Sequence, residues 1–165
     1  MARKTFFSFH YKPDNWRAST VRNIGAIEGN RPVSDNSWEE IKKKGDQAIK
    51  NWINKEMNGR TCTVVLIGSQ TAGRKWIKHE IIESWNRGLG VVGIYIHNLK
   101  NRDGLQATKG SNPFDDITFD GTSKTLSSVV KAYDPPFITS QSVYNHISDN
   151  ISKWVEQAIT IRGNH

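Results

Sequence analysis

This sequence predicts one α/β domain built on a mainly parallel sheet, and three observations predict it. The run Thr61-Cys62-Thr63-Val64-Val65-Leu66-Ile67 is β-branched and nearly unbroken in its apolar character. Such a run fits a strand covered on both faces, as in a parallel sheet. Residues 90–96 repeat the pattern. Between the two, residues 74–87 carry apolar side chains at helical spacing and stop at Gly88. Strand, helix and strand with short connections are the signature of a βαβ unit.

The remaining elements follow in chain order. Residues 5–9 read as the first strand, with Phe6 joining residues 64–67 and 91–96 in the central strands. Residues 16–24 have the spacing of a short helix. Residues 25–36, rich in Gly, Asn, Pro and Ser, read as a long loop with at most a weak strand. Ser37 then opens a helix whose capping box is closed by Glu40, and Trp38, Ile41, Ala48, Ile49, Trp52 and Ile53 keep its period to about Met57. Gly59 stops it, and residues 68–73 form a turn. Residues 97–116 are long and polar and predict a mobile surface excursion. Residues 126–133 have room to hold a last strand, and Pro135-Pro136 breaks the chain. Residues 142–161 predict a C-terminal helix with Val143, Ile147, Ile151, Trp154, Val155 and Ala158 on one face. Neither an internal repeat nor a linker interrupts the pattern, so residues 1–165 are expected to be a single domain.

Composition narrows the function classes. Six Trp and six Phe in 165 residues supply a real core. No apolar run approaches the ~20 residues that span a bilayer. The short apolar stretch after Met1-Ala2-Arg3-Lys4 is interrupted by polar residues and makes a poor signal peptide. One cysteine, Cys62, cannot form an internal disulfide, which fits a reducing cytoplasm. The formal charge is +7 and the pI near 9.6. Nucleic-acid binding would gather that charge into a stripe, whereas only Lys42-Lys43-Lys44 is a tight cluster. A solvated basic surface, or a site for a small anion such as a dinucleotide, accounts for the rest.

In a parallel α/β sheet, ligands bind at the carboxyl ends of the strands. Those ends are Ser8-Phe9-His10, Gly68-Ser69-Gln70-Thr71 and Ile96-His97. Glycine-rich phosphate loops, a nucleophile elbow and metal-ligand spacing are all missing from the sequence, so no metal is expected. Trp76 and Glu80 lie four residues apart, on one face of the helix that follows the central turn. From spacing alone, a core Trp and a solvated Glu explain that pair better than a site does. Ser8, His10, Ser69 and Thr71 equally suit strand ends, turns and caps. Asp46 either faces the crevice or pairs with Lys42 or Lys50 on the surface. Cys62, within a buried strand, is expected to be inert.

Taken together, four segments resemble the TIR superfamily, and specifically the TIR-like domains of bacterial Thoeris anti-phage defence. Phe6-Phe7-Ser8-Phe9-His10-Tyr11 is similar to the family's first strand. Val21-Arg22-Asn23, with Asp35-Asn36-Ser37-Trp38-Glu39, resembles the stretch around its variable loop. Val65-Leu66-Ile67-Gly68-Ser69-Gln70-Thr71, leading into Trp76-Ile77-Lys78-His79-Glu80, contains the Trp-x-x-x-Glu pattern of NAD⁺-consuming members. Lys109-Gly110-Ser111-Asn112-Pro113-Phe114 resembles a later loop, and Gly45-Asp46 matches a Gly-acidic pair. The resemblance covers the chain to about Phe114.

The resemblance implies a flavodoxin-like three-layer sandwich. It implies an enzyme that cleaves NAD⁺ at the nicotinamide–ribose bond and makes a cyclic ADP-ribose-type signal for a separate effector. NAD⁺ would be the substrate, with no cofactor, and self-association through TIR contacts is expected. By position, Glu80 would be catalytic, Trp76 would shape the pocket, and Ser8, Phe9, His10, Asp46 and Ser69 would contact substrate. A plain NAD⁺ hydrolase and a non-catalytic interaction module are the competing readings, because a fold alone does not decide function.

Overall fold

The computed structural model describes residues 3–25, 27–29 and 40–165. Four parallel strands form the sheet, in the order β1 (Thr5–Ser8), β2 (Cys62–Ile67), β3 (Gly90–Tyr95) and β4 (Ala132–Tyr133). Thr5 lies beside Cys62 and Ser8 beside Val65; Cys62 in turn lies beside Gly90 and Ile67 beside Tyr95. Residues 64–67 and 91–95 thus occupy the middle of the sheet, as the apolar runs predict. Phe6, expected in a central strand, lies instead in β1 at the edge of the sheet, because β1 pairs only with β2 among the named strands; a parallel bridge joins Lys4 to Glu28 among the described residues. Every residue of β1, β2 and β3 is buried, which explains the nearly continuous apolar runs of β2 and β3.

Alternation along the strands sends side chains into two layers. Phe7, Val64, Leu66, Val92 and Ile94 pack against α1 (Tyr11–Arg22) and the C-terminal helix. On the opposite face Val65, Ile67, Val91 and Tyr95 meet Ile77 and Ile81 of the helix after β2, while Phe6 meets Ile49, Ile53 and Met57 of the helix before it. These are α2 (Asp46–Met57) and α3 (Lys75–Asn86), and α4 (Ser140–Gly163) closes the chain. Thr139 caps α4 by accepting the Ser142 amide at 3.3 Å. Its buried residues are the six that the sequence pattern picks out. The result is a three-layer α/β/α sandwich, in agreement with the predicted fold class.

Other expectations need correction. The helix assigned from Ser37 to Met57 is interrupted: residues 40–43 are helical, but Gly45 takes φ +93° and a new helix starts at Asp46. That left-handed conformation favours glycine, so helical periodicity alone misses the break. Ser37, Trp38 and most of the loop at 25–36 lie outside the described residues. The first helix begins at Tyr11 rather than Trp16, because Pro13 is tolerated in a first helical turn. Its sidedness is also inverted: Trp16 is 54% exposed, whereas Asp14 and Arg17 are 1% and 3% exposed.

Within residues 126–133 the final strand takes only Ala132–Tyr133. Leu126–Ser128 forms a 3-10 turn, held by Ser128 Oγ donating to the Thr125 carbonyl at 2.6 Å. The loop at 97–116 is anchored instead of loose. Leu99 and Phe114 are buried, Ala107 N–H donates to the His97 carbonyl at 2.8 Å, and Gln106 Nε2 donates to the Asn98 and Ile138 carbonyls.

Candidate active site

The sheet's alternation places Ser8 on the same face as Phe6, at the carboxyl end of β1, toward α2 and α3. Glu80 projects from the second turn of α3, on the face that also carries Ile77, Ile81 and Ser84. The two meet: Ser8 Oγ donates to Glu80 Oε1 at 3.3 Å in a buried contact. Glu80 is 8% exposed. Burial, partly offset by the Ser8 hydroxyl, pushes its carboxyl up to about 8. A carboxyl so perturbed at the carboxyl end of a parallel sheet has the profile of a functional group rather than a surface helix residue.

Polar side chains hold α3 in place beneath the site. Ser84 Oγ donates to the Glu80 carbonyl at 2.6 Å and lies 2.6 Å from Thr63 Oγ1 on β2. Thr63 therefore donates to Ser84, and the pair fastens the helix turn carrying Glu80 to the sheet. Thr71, fully buried, accepts the Gly68 amide at 2.8 Å and closes the turn that leads into α3.

The other sequence candidates are distributed around this contact. Trp76, half-buried one turn before Glu80, borders the cluster of Phe6, Ile49, Ile53 and Met57 and meets the His79 ring edge-on at 5.7 Å between centroids. His10 immediately precedes α1; burial, then the charges of Arg74 and Lys42, hold its imidazole below the usual range. Ser69 sits in the turn after β2, packed beside Gly110. Two candidates lie apart from the carboxylate. Phe9 packs on the opposite face of the sheet, stacked on Tyr11 at 6.2 Å. Asp46 is exposed and pairs with Lys75, joining the starts of α2 and α3; neither Lys42 nor Lys50 is its partner. Cys62 is buried, and its thiol is pushed up to about 12, so it is an inert core group.

Sequence reasoning missed the charged pair beneath the crevice. Arg17 Nε donates to the Leu99 carbonyl at 2.7 Å, Nη1 to Asp14 Oδ1 at 3.1 Å, and Nη2 to the Leu105 carbonyl at 2.9 Å. The signal was available as an acid and a base at i and i+3. A surface ion pair has the same spacing, so only the fold reveals that this one is buried.

A parallel α/β sandwich of this class takes its ligands at the carboxyl ends of the strands, which is where Ser8 meets Glu80. The family described as Thoeris protein ThsB, TIR-like domain, matches residues 6–101, and the chain belongs to that family. It is also 42% identical over 120 residues to a Bacillus cereus (strain MSX-D12) protein named "Putative cyclic ADP-D-ribose synthase ThsB1". That match covers 70% of this chain and 62% of the relative, so the chain spans less than two thirds of the relative's length. The family assignment agrees with the resemblance carried by the first strand and the Trp76–Glu80 helix.

Proposed function

We propose that this protein cleaves NAD⁺ at the nicotinamide–ribose bond and converts the ADP-ribosyl group into a cyclic ADP-ribose-type signal. The observation that carries this reading is Glu80, a buried carboxyl at the carboxyl end of a family-matched sheet, held by Ser8. The name of the Bacillus cereus relative points to the same product class.

The chemistry asks little more than one carboxylate and a dry pocket. Nicotinamide in NAD⁺ is cationic, so the C1–N bond breaks with its electron pair leaving on neutral nicotinamide, and no general acid is needed. Positive charge then develops on the ribose. An ionised Glu80 stabilises that oxocarbenium character, as carboxylates do in glycoside hydrolysis. Capture of C1 by a nucleophile within the same molecule gives a cyclic product and releases one proton. Capture by water gives linear ADP-ribose and one proton. The buried setting of Glu80 favours the intramolecular route by keeping water away.

Glu80 is mostly protonated near neutral pH when the site is empty. The cation of bound NAD⁺ favours the ionised form, so substrate binding is coupled to proton release. No cofactor enters this scheme. The reading includes self-association that raises activity, a separate effector reached through the diffusible product, and a cytoplasmic setting. An interaction-only module would gain nothing from a buried carboxyl held by a single hydroxyl, which is costly to keep.

Mass spectrometry of products formed from NAD⁺, with and without lysate of infected cells, tests the proposal. A cyclised species with free nicotinamide supports it. Linear ADP-ribose alone from activated protein would favour a hydrolase that depletes NAD⁺, and no nicotinamide under any condition would favour the interaction module.

A further inference from the structure

We infer that Asp14 is a positioning residue for the Glu80 site, acting through the seat of its carboxyl group on Gly68. The inference rests on reading Glu80 as the functional carboxylate. Asp14 lies in the first turn of α1 and is 1% exposed. Its Oδ1 accepts from Arg17, but Oδ2 is buried with no hydrogen-bond partner among the described residues. An unmet carboxylate oxygen is expensive in an interior, so a side chain kept there needs another reason.

The reason visible in the structure is contact. A methyl group on Gly68 would overlap Oδ1, Oδ2 and Cγ of Asp14. The backbone of Gly68 is not in the left-handed region, so any residue could adopt its conformation. On the other side of Gly68, its carbonyl meets Gly110 so closely that a Cβ on Gly110 would overlap it as well. Glycine at 68 is thus required by what presses on it.

That point of pressure is well placed. The ladder between β1 and β2 ends at Ser8 and Val65, so beyond it the two strands have no paired residues. Ser8 leads through two residues into α1, and Gly68 opens the turn that leads into α3. Asp14 on Gly68 is therefore a strut between the segment that follows Ser8 and the turn that leads to the helix of Glu80. Its length sets how deeply α3 sits and how closely Glu80 is sealed against β1. Arg17 holds the strut from behind while gripping the 97–110 loop through the Leu99 and Leu105 carbonyls.

Carbon-13 NMR of the Glu80 side-chain carboxyl, followed against pH in the full chain and assigned with Glu80→Gln, tests this without any need for turnover. In the native protein the midpoint expected from burial and Ser8 is about 8. Gly68→Ala drives the strut away, admits water and should lower the midpoint by about one unit or more. Adding Asp14→Ala to Gly68→Ala restores the space and should recover at least about half of that shift. Asp14→Asn keeps the volume on Gly68 and should leave the midpoint within about 0.3 units.

An unmoved midpoint in folded Gly68→Ala overturns the inference. So does a double variant as perturbed as the single, or an Asp14→Asn shift as large as that of Gly68→Ala, which would make charge the cause. If Gly68→Ala alone does not fold, a folded double variant with its midpoint near 8 supports the strut, and an unfolded double variant overturns it. Should the titrations follow expectation while the native chain releases no nicotinamide, the NAD⁺ reading fails and the strut stands.

Discussion

Ser8 Oγ and Glu80 Oε1 lie 3.3 Å apart in the interior, and among the described residues this is the hydrogen bond that favours the ionised form of the Glu80 carboxyl. It sets the working state of the site against burial, which pulls the other way. Ser8→Ala removes the donor and deepens the bias toward the neutral acid. The expected outcome is a kcat/KM reduced by about tenfold at neutral pH, with the gap narrowing at alkaline pH. A pH series on the variant checks it, and a deficit that stays constant from acid to alkaline pH would assign Ser8 a different role.

The raised Glu80 value fixes a pH dependence. If the ionised carboxylate is the active form, kcat/KM for nicotinamide release rises roughly tenfold per pH unit below about 8. It levels off above that point, where Glu80 in the free protein is fully ionised. Initial rates at low NAD⁺ between pH 5.5 and 9.5, roughly the range that brackets such a carboxyl, give the profile. A flat profile would mean that the neutral acid is already the active species.

The same group makes a stability prediction of definite sign. Glu80 has a folded value of about 8 against 4.5 for the free side chain, so folding favours its neutral form. That contribution is fully present below pH 4.5, is lost as pH rises toward 8, and stays lost above it. Glu80→Gln escapes this loss. The variant should exceed the native protein by a few kcal/mol at pH 9 and show little gain at pH 4.5, as read by denaturant unfolding. An advantage independent of pH would contradict the buried acid.

Arg17 is the expected weak point of the fold. Replacing it with Met leaves Asp14 buried without its cation and strips donors from the Leu99 and Leu105 carbonyls. A loss of about 3–5 kcal/mol follows, or a Tm lower by roughly 10 °C. Arg17→Lys should recover little of it, because an ammonium cannot reproduce the planar fork. Thermal unfolding of both variants decides the point.

The sequence made some parts of this structure legible and hid others for physical reasons. The strands at Cys62–Ile67 and Gly90–Tyr95 are readable because burial on both faces demands unbroken apolar runs. The face of α4 is readable because a long helix repeats its signal over many turns. Gly45 breaks a helix with one dihedral angle, and β4 is two residues set by a neighbour's register, so neither has a local pattern to read. Glu80 looked like a solvated residue by spacing and became a candidate only through family resemblance. The structure adds that it is buried and bonded to a residue 72 positions earlier, which no periodicity encodes. Asp14 and Arg17 stayed hidden because a buried ion pair and an exposed one are written alike.

Turnover of NAD⁺ by Glu80→Gln tests the central claim most directly, with Glu83→Gln as its control. Glu83 lies one turn further along α3 and pairs on the surface with Arg87 at 3.0 Å. Its loss should change stability by less than about 0.5 kcal/mol and leave turnover alone. Glu80→Gln keeps shape and helix propensity while removing the charge. If Glu80 stabilises the oxocarbenium-like state, nicotinamide release falls by at least about 100-fold, near 3 kcal/mol at the barrier, in a protein that remains folded. Turnover retained in folded Glu80→Gln, or lost equally in both variants, would contradict the account.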